Sequence, residues 1–297
     1  IGGVKYNLGF SLADYKSKVL QFTDMTNVPF PGNLGRGDRI ENWNGNAKNY
    51  YLVGKSLSPV YVFQTDGIFQ TQEEVDAYYE MYYWNADHTA PKAGNIIPAP
   101  ADSGTGRLRP GARKVVDLDG DGVITKDDIY YAGDRDPHLT FTIKAGLEWK
   151  GIDVSAFFQG VGNQVVLRQG QIPYLWRTNY VMQNKTYMGK TWTPENTGAE
   201  YTIASRDQNF NAWNYQYKDV SLQKNRYIRL KSLVVGYTLP KQWTAKAGLN
   251  KVRLYFSGDD LWEWTKVKDG YDPEFGEETN NSFPFSRLLS FGVDVTF

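Results

Sequence analysis

Apolar and polar residues alternate along several stretches of this chain, most clearly in the C-terminal segment SRLLSFGVDVTF. The apolar side chains there occupy every second position: Leu289, Phe291, Val293, Val295 and Phe297. Successive side chains of a β-strand point to opposite faces, so the other face carries only small or polar residues. The segment therefore predicts a strand over 287–297 with one apolar face and one polar face.

Two strands in close succession form the second pattern. In HLTFTIKAGLEWK the apolar side chains from Leu139 to Trp149 share one face, and Thr, Lys and Glu side chains share the other. The segment IDVSAFFQGV follows after Lys150 and Gly151, which can form a tight turn. The pattern predicts a β-hairpin.

Other alternating segments predict further strands: 4–22, NYYLVGKS, PVYVFQTDGIFQ, RYIRLKSLVVGYTLP and KVRLYFSG. A short helix is predicted in TQEEVDAYYEMYYW, because Thr71 can cap its free N–H groups and Glu74 can reach back towards them. Residues 85–111 are rich in Pro, Ala, Gly and Ser, which predicts a long loop. Residues 160–225 show little alternation, which predicts a second long connection.

The predicted strands are separated by connections that are alternately short and very long. Membrane barrels have this organisation, with short periplasmic turns and long extracellular loops. The last strand, at about 3.3 Å per residue and a tilt near 45°, would cover roughly 25 Å, the height of an outer-membrane apolar band. We therefore expect an all-β, antiparallel transmembrane β-barrel whose apolar face contacts hydrocarbon. A complete barrel of about eight strands is compatible with this count.

Composition narrows the possible functions. The 297 residues include 33 basic and 33 acidic side chains without a Lys/Arg block, which argues against nucleic acid as a partner. The absence of cysteine excludes a disulfide framework, a thiolate metal site and a cysteine nucleophile within this sequence. The aromatic content of 15% is typical of membrane-interface girdles, sugar-stacking platforms or a β-rich core.

The acidic segment DLDGDGVITKDD is the sharpest chemical motif. Carboxylates at every second residue can converge on a hard cation when a glycine such as Gly122 turns the chain, as in an EF-hand loop. The twelfth position carries an aspartate where a longer glutamate is usual. The predicted ligands are Asp117, Asp119, Asp121, Asp128 and the carbonyl of Val123. We expect a structural calcium ion that pins an outer loop; the alternative is a solvated acidic turn without metal.

Aromatic side chains in the predicted long loops are candidates for contact with a ligand or a partner: Trp176, Trp213, Trp262, Trp264 and Tyr271. Such rings can stack on sugars or pack against a capping protein, and packing of loop on loop is the alternative. The two histidines, His88 and His138, lie far apart in sequence. Nucleophile-elbow, Walker and dinucleotide-binding motifs do not occur, so we expect no enzyme.

Four segments, in this order along the chain, resemble the C-terminal portion of SusC/RagA-type TonB-dependent outer-membrane transporters. They are SPVYVFQTDGIFQTQEEVDAYYE, the stretch from RPGARKVVDLDGDG to AFFQGVGN, RYIRLKSLVVGYTLP, and LYFSGDDLWEWTKVKDGYDPEFG. The resemblance runs from about residue 60 to the end. The terminal Phe297 also resembles the final aromatic residue of proteins that the barrel-assembly machinery inserts.

The resemblance implies a barrel of about 22 strands that is filled by an N-terminal plug. Residues 1–297 would supply about the last eight strands and their extracellular loops, whereas the plug, the TonB box and the N-terminal strands are absent from this chain. The implied function is TonB-dependent nutrient import across the cell outer membrane. The implied partners are TonB, through the missing N-terminal part, outer-membrane lipid, and a SusD-type surface lipoprotein that captures glycans, oligosaccharides or peptides.

The rival interpretation is a secreted or periplasmic β-rich carbohydrate-binding module with a calcium-stabilised loop. In such a module the apolar strand faces would pack against each other instead of against lipid. The two interpretations differ in the surroundings of Leu289, Phe291 and Val293, which would contact hydrocarbon in a barrel and lie in a water-free core in a module.

Overall fold

The computed structural model describes residues 3–18, 56, 58–100, 106–125, 127–167, 187–268, 272–275 and 286–297. The strands in these ranges are β1 Lys5–Ala13, β2 Pro59–Phe63, β3 Thr65–Ile68, β4 Arg113–Val115, β5 Ile129–Asp134, β6 His138–Trp149, β7 Ile152–Asn163, β8 Val165–Leu167, β9 Leu222–Lys224, β10 Tyr227–Thr238, β11 Lys251–Thr265 and β12 Leu288–Thr296. The helices are α1 Gln72–Tyr82 and α2 Gln208–Tyr215, with a short helical turn at Lys241–Thr244.

The long strands form one antiparallel sheet in the order β1, β6, β7, β10, β11, β12. The register brings like faces together: Ile143 of β6 lies opposite Phe10 of β1 and Phe158 of β7. Because side chains alternate along every strand, this register makes one face of the sheet continuously apolar and the other polar. The predicted hairpin and the predicted terminal strand are confirmed.

The apolar face of the sheet is open over the described residues. On β12 the exposed fractions are 64% for Leu289, 83% for Phe291 and 59% for Val293. A water-soluble module would bury such side chains between its strands, since contiguous apolar surface is costly in water. The sheet therefore has the surface expected of a barrel wall rather than of a soluble sandwich. None of the described helices combines the length and the apolar character needed to cross a membrane.

The connections at one end of the strands are short and those at the other end are long, as the alternation predicted. Residues 150–151 and 239–250 make the short ones, whereas the connections from β1 to β6, from β7 to β10 and from β11 to β12 are long. The shortest turn needs Gly151, which has φ +87° and whose Cβ, if present, would lie 2.7 Å from the carbonyl oxygen of Thr238. Lys150, at φ 49°, shares the left-handed conformation that a two-residue hairpin requires.

The long connections pack into an outer layer, which is formed by the described parts of residues 58–134 and 164–226. Three two-stranded sheets occur in it, β2 with β5, β3 with β4 and β8 with β9. Its core is fully buried and mostly aliphatic or aromatic, and includes Val60, Val62, Phe63, Phe69, Val75, Leu108, Ile124, Phe210 and Tyr217. The free energy gained by burying these side chains offsets the conformational entropy lost in ordering a long chain segment.

Helix α1 confirms the predicted capping. The hydroxyl of Thr71 accepts the N–H of Glu74 at 3.3 Å, and the Glu74 carboxylate accepts the N–H of Gln70 at 3.0 Å. Helix α2 lies within the predicted long connection over 160–225, for which the sequence analysis named no helix. It forms because Asp207 caps its N-terminus, accepting the N–H of Asn209 at 2.9 Å, and because Phe210 enters the buried core.

Other sequence expectations differ in extent. Strand β1 ends at Ala13, well before the predicted end at residue 22, and residues 19–22 lie outside the described part. Residues 49–55 of the NYYLVGKS segment also lie outside it. In the described residues the sheet has six strands; PVYVF, one of the predicted strands, is fully buried in the outer layer as β2 and does not join the sheet.

Candidate functional site

Three carboxylates of the acidic loop converge. The ligand oxygens of Asp117, Asp119 and Asp128 all lie within 4.8 Å of one another. The loop folds in this way because the Asp117 carboxylate accepts the N–H groups of Gly120 and Gly122, each at 2.8 Å. A cluster of carboxylate oxygens of this kind suits a hard cation such as calcium.

Asp128 closes the loop from its C-terminal end. Its side chain is fully buried; one oxygen accepts the N–H of Leu118 at 2.6 Å and the other accepts the N–H of Thr125 at 2.7 Å. Burial raises the pKa of Asp128, and the backbone N–H donors oppose that rise because they stabilise the charged form. The backbone of the loop thus folds around the Asp128 carboxylate through these two hydrogen bonds, at the twelfth position, where a longer glutamate is usual.

The fourth predicted carboxylate, that of Asp121, is not one of the three that converge. The Asp121 carboxylate accepts the N–H of Val123 at 2.8 Å, so it shapes the turn after Gly122. Of the predicted carboxylates, the fold thus brings three together and leaves Asp121 in its own turn.

Lys92 fastens the acidic loop to helix α1. Its ammonium group donates to the carbonyl oxygens of Met81 and Gly122, both at 2.7 Å. A backbone bond from the N–H of Ile96 to the carbonyl oxygen of Ile124 (3.0 Å) adds a second connection, and Ile124 is fully buried. The loop is therefore an integral part of the outer layer, and a bound cation there would stabilise that layer.

The predicted contact aromatics fall into three groups. Trp176 and Tyr271 lie outside the described residues. Trp213 is buried in the outer layer and donates its indole N–H to the carbonyl oxygen of Arg113 at 3.0 Å, so it packs loop on loop and is not a surface contact. Trp262 and Trp264 lie in β11 rather than in a loop, because that strand continues seven residues beyond the predicted segment.

The register places these two tryptophans on the apolar face. Trp264 lies opposite Ile228 and Trp262 opposite Leu230, and both indoles are 49% exposed. They stand at the long-connection end of the sheet, whereas exposed Trp149 lies at the short-turn end. Aromatic rings at both ends of an apolar band are the girdles of transmembrane barrels. This position favours membrane-interface contact for the pair, and ligand or partner contact stays an untested prediction.

Charged side chains cross the opposite face. Arg253 of β11 binds Asp153 of β7, with Nε to Oδ1 at 2.9 Å, and Asp294 of β12, with Nη1 to Oδ2 at 3.2 Å. The first pair spans the intervening strand over Gly236, whose Cβ, if present, would lie 2.5 Å from the guanidinium. Ion pairs of this kind need a hydrated or protein-lined face, since a lipid-facing charge at membrane depth is costly. This face is the inner one.

Comparisons with known proteins agree with this geometry, although no family model matches the sequence. TonB-dependent receptor P3 of Formosa agariphila is 28% identical over 218 residues, which cover 69% of this chain and 21% of that protein. TonB-dependent receptor P26 of the same organism is 28% identical over 266 residues, which cover 85% of this chain and 24% of that protein. The chain thus spans about a quarter or less of the length of these curated relatives.

Solved structures share the fold. The RagAB peptide transporter superposes with a TM-score of 0.54 at 19% identity over 83% of this chain and 23% of that chain. The RagAB peptide importer in the closed-closed state gives 0.51 at 20% identity over 83% of this chain and 24% of that chain. The chain is thus similar in sequence to segments of TonB-dependent receptors and shares its fold with part of the RagAB structures, as the resemblance in its sequence implied.

Proposed function

We propose that this chain forms part of the wall and the outer loops of an importer that carries nutrients across the outer membrane in a TonB-dependent step. The observation that supports this most directly is the two-sided sheet, with an exposed apolar face between aromatic rims and ion pairs on the other face. Such a surface separates hydrocarbon from an aqueous lumen. The proposed role requires no covalent chemistry, and the protein would act as a receptor rather than as an enzyme.

We propose that residues 1–297 are the C-terminal part of the barrel and that the plug and the earlier strands are supplied by the rest of the receptor. Strands β1 and β12 are the two edges of the described sheet, and each pairs with one neighbour. An unpaired strand edge in hydrocarbon leaves backbone N–H and C=O groups unsatisfied, so both edges need partners in a membrane. The greater length of the curated relatives supports the same division.

The cargo would be a glycan, an oligosaccharide or a peptide, delivered with a SusD-type surface lipoprotein. The RagAB structures are described as a peptide transporter and a peptide importer, which supports a peptide as one cargo class, and the lipoprotein partner follows from the resemblance in the sequence. The packed outer layer offers a rigid surface for such a partner, because loops ordered by a buried core lose little entropy on binding.

Uptake by whole cells tests the proposal. Cells with the full receptor and its neighbouring lipoprotein would be given labelled oligosaccharides and labelled peptides, and accumulation would be compared with a receptor deletion and with a TonB deletion. We expect accumulation of one cargo class that both deletions abolish. Accumulation that survives either deletion would contradict TonB-dependent import by this receptor.

We also propose that the acidic loop holds a structural calcium ion, with Asp117, Asp119 and Asp128 as its carboxylate ligands and Asp121 and Val123 as the further candidates from the sequence. Extracellular calcium modules work at about 10⁻⁴ to 10⁻³ M, a range in which the ion would pin the loop. The converging carboxylate oxygens support this assignment.

Limited proteolysis of the full receptor, read out over residues 100–135, tests the calcium proposal. We expect chelator to increase cleavage there and calcium to restore protection, with Asp119→Asn requiring at least tenfold more calcium. Asp127→Asn is the matched control, since Asp127 lies beside the converging group but outside it. Cleavage that is indifferent to chelator and calcium would count against a metal in this loop.

A further inference from the structure

Strands β10 and β11 carry a coincident irregularity near their outer ends. The register of β10 shifts between Leu230 and Ser232 against both of its neighbours. Against β7, Lys231 is an additional residue of β10, whereas against β11 it faces two residues, Asp260 and Leu261. On β11 the irregularity coincides with Asp260, which has φ 53°. Bulges of this kind re-aim side chains and are frequent beside functional sites. Here the bulge keeps Leu230 and Leu233 on the apolar face while Lys231 turns to the inner one.

Two basic side chains of β10 meet a group of carboxylates at this bulge. The ammonium of Lys231 lies 2.8 Å from a carboxylate oxygen of Asp260 and 3.1 Å from one of Glu274. Arg229, whose side chain is 3% exposed, contacts Glu263 on the neighbouring strand and, at 3.0 Å, Glu274. Arg229 and Glu263 lie directly opposite each other in the register, on the inner face.

The residues that cover Arg229 come from the long connection between β11 and β12. We call the turn Asp272–Phe275 the strap. Asp272 binds the Arg229 guanidinium at 2.9 Å, and the side chains of Asp272 and Glu274 are only 5% and 13% exposed. The strap also accepts a hydrogen bond at its middle, since the Asn225 side chain donates to the carbonyl oxygen of Pro273 at 2.8 Å. The strap therefore lies against the inner face.

Buried ion pairs are poor stabilisers compared with apolar packing of similar volume, and their best-attested use is to specify one arrangement of the chain. In this network removal of either basic partner would leave carboxylates buried without their counter-charge. That outcome favours release of the strap into water, where its carboxylates are solvated. The strap position thus depends on Arg229 and Lys231.

We infer that the strap Asp272–Phe275 is an inward-folded constriction at the outer mouth of the lumen, and that Arg229 and Lys231 are the positioning residues that hold it against the wall. The inference rests on the proposed barrel, in which this face borders the lumen. The strap would narrow the path of an entering cargo on this side of the barrel.

A cysteine probe in the full receptor, in its native outer membrane, tests the position of the strap. This chain has no cysteine, so Pro273→Cys introduces one thiol at a buried position of the strap without removing the carbonyl group that Asn225 binds. Labelling by a membrane-impermeant maleimide is compared with the same receptor lacking the probe. We expect slow labelling in the otherwise unchanged receptor and at least tenfold faster labelling when Arg229→Gln and Lys231→Gln are added.

Arg253→Gln is the matched control, because it also neutralises an inner-face arginine bound to carboxylates but lies near the short-turn end. It should leave the labelling rate unchanged. Neutralising the strap instead, with Asp272→Asn and Glu274→Gln, should accelerate labelling as the wall variants do. Equal rates in all variants, or the same acceleration in the control, would overturn the inference, and heat-modifiable gel mobility verifies that each barrel is folded.

Uptake measured on the same cells separates the two proposals. Labelling depends only on where the strap lies, whereas accumulation of labelled cargo depends on transport. Labelling accelerated by the wall variants in a receptor that accumulates no cargo would uphold the strap and reject the import function. Cargo accumulation with labelling that is indifferent to the wall variants would uphold import and reject the strap.

Discussion

Ala156 and Ser155 provide a test of which face of the sheet contacts lipid. They are adjacent in β7, similar in size and on opposite faces: Ala156 lies opposite Leu233, and Ser155 lies opposite Val234. Arginine at each position in turn adds the same side chain to the apolar face or to the inner face. We expect Ala156→Arg to destabilise the folded barrel strongly and Ser155→Arg to have little effect.

The expected size follows from the depth of Ala156. Ile152, four residues away, pairs with Trp149, and Gly160, four residues away on the other side, pairs with Ile228 beside the outer aromatic rim. Four residues span about 13 Å of strand, or roughly 10 Å of depth at a tilt near 40°. Ala156 is therefore near the bilayer midplane, where a lipid-facing arginine costs about 2–4 kcal/mol. An inner-face substitution away from packed contacts changes stability by about 0.5 kcal/mol or less.

The assay is equilibrium unfolding of the full receptor in lipid vesicles, followed by the heat-modifiable mobility of the folded barrel. A difference of about 2 kcal/mol between the two variants changes the folded-to-unfolded ratio by roughly thirtyfold, well within the resolution of a denaturant titration. Equal destabilisation by both variants, or a greater effect of Ser155→Arg, would refute the assignment of the apolar face to hydrocarbon.

Replacing Trp262 and Trp264 by serine should lower the free energy of unfolding in vesicles by about 1–3 kcal/mol for each indole, since both rings lie on the lipid side. Cargo affinity should stay unchanged. Weaker cargo binding with unchanged stability would support the prediction of ligand contact instead. Burial lowers the pKa of Lys218 to about 7, and the rings of Phe63 and Trp213 lie 4.4 and 5.1 Å from its ammonium. The unfolded chain binds more protons between about pH 7 and 10, so stability should rise with pH across that window. Lys218→Met should remove this rise and, below pH 7, increase the free energy of unfolding by about 3 kcal/mol after allowance for the lost cation–π contacts. Hydrogen exchange of the outer layer measures both effects, and an unchanged pH profile would contradict the prediction.

Local alternation was sufficient for the elements of the wall. The terminal strand and the hairpin around Lys150 and Gly151 were predictable because side-chain direction in a strand has a period of two, and the membrane requires one apolar face along the whole strand. The cap of helix α1 was predictable for the same local reason, since Thr71 and Glu74 act within one turn. The order of long and short connections also followed from the sequence.

The long connections could not be predicted as well, because their structure depends on contacts between distant segments. Helix α2 provides hydrogen-bond partners for the backbone of strand β4. The Asn214 side chain accepts the N–H of Arg113 at 2.7 Å, and the Trp213 indole donates to the carbonyl oxygen of the same residue. Residues 113 and 214 are 101 positions apart. A helical spacing of Phe210, Trp213 and Tyr217 is the sequence signal that could have indicated this helix.

The bulge in β10 is also visible in the pattern of apolar residues along the sequence. The apolar residues of β10 fall at even positions up to Leu230 and at odd positions from Leu233 onward, a change of phase that an extra residue at Lys231 explains. Likewise, Trp262 and Trp264 alternate with Glu263 and Thr265, which marks a continuing strand.

Which side of each wall strand is apolar can be read from the residue order alone, because that property depends only on the identity of every second residue. The acidic motif likewise specified a candidate cation loop through spacing alone. The tertiary structure decided which of its carboxylates converge, the folding of the long connections into a packed layer, and the position of Asp272 over Arg229. Those outcomes depend on contacts between residues far apart in the chain. The free energy gained by burying these contacts must exceed the entropic cost of closing long loops, and local sequence patterns do not indicate which of the two is larger.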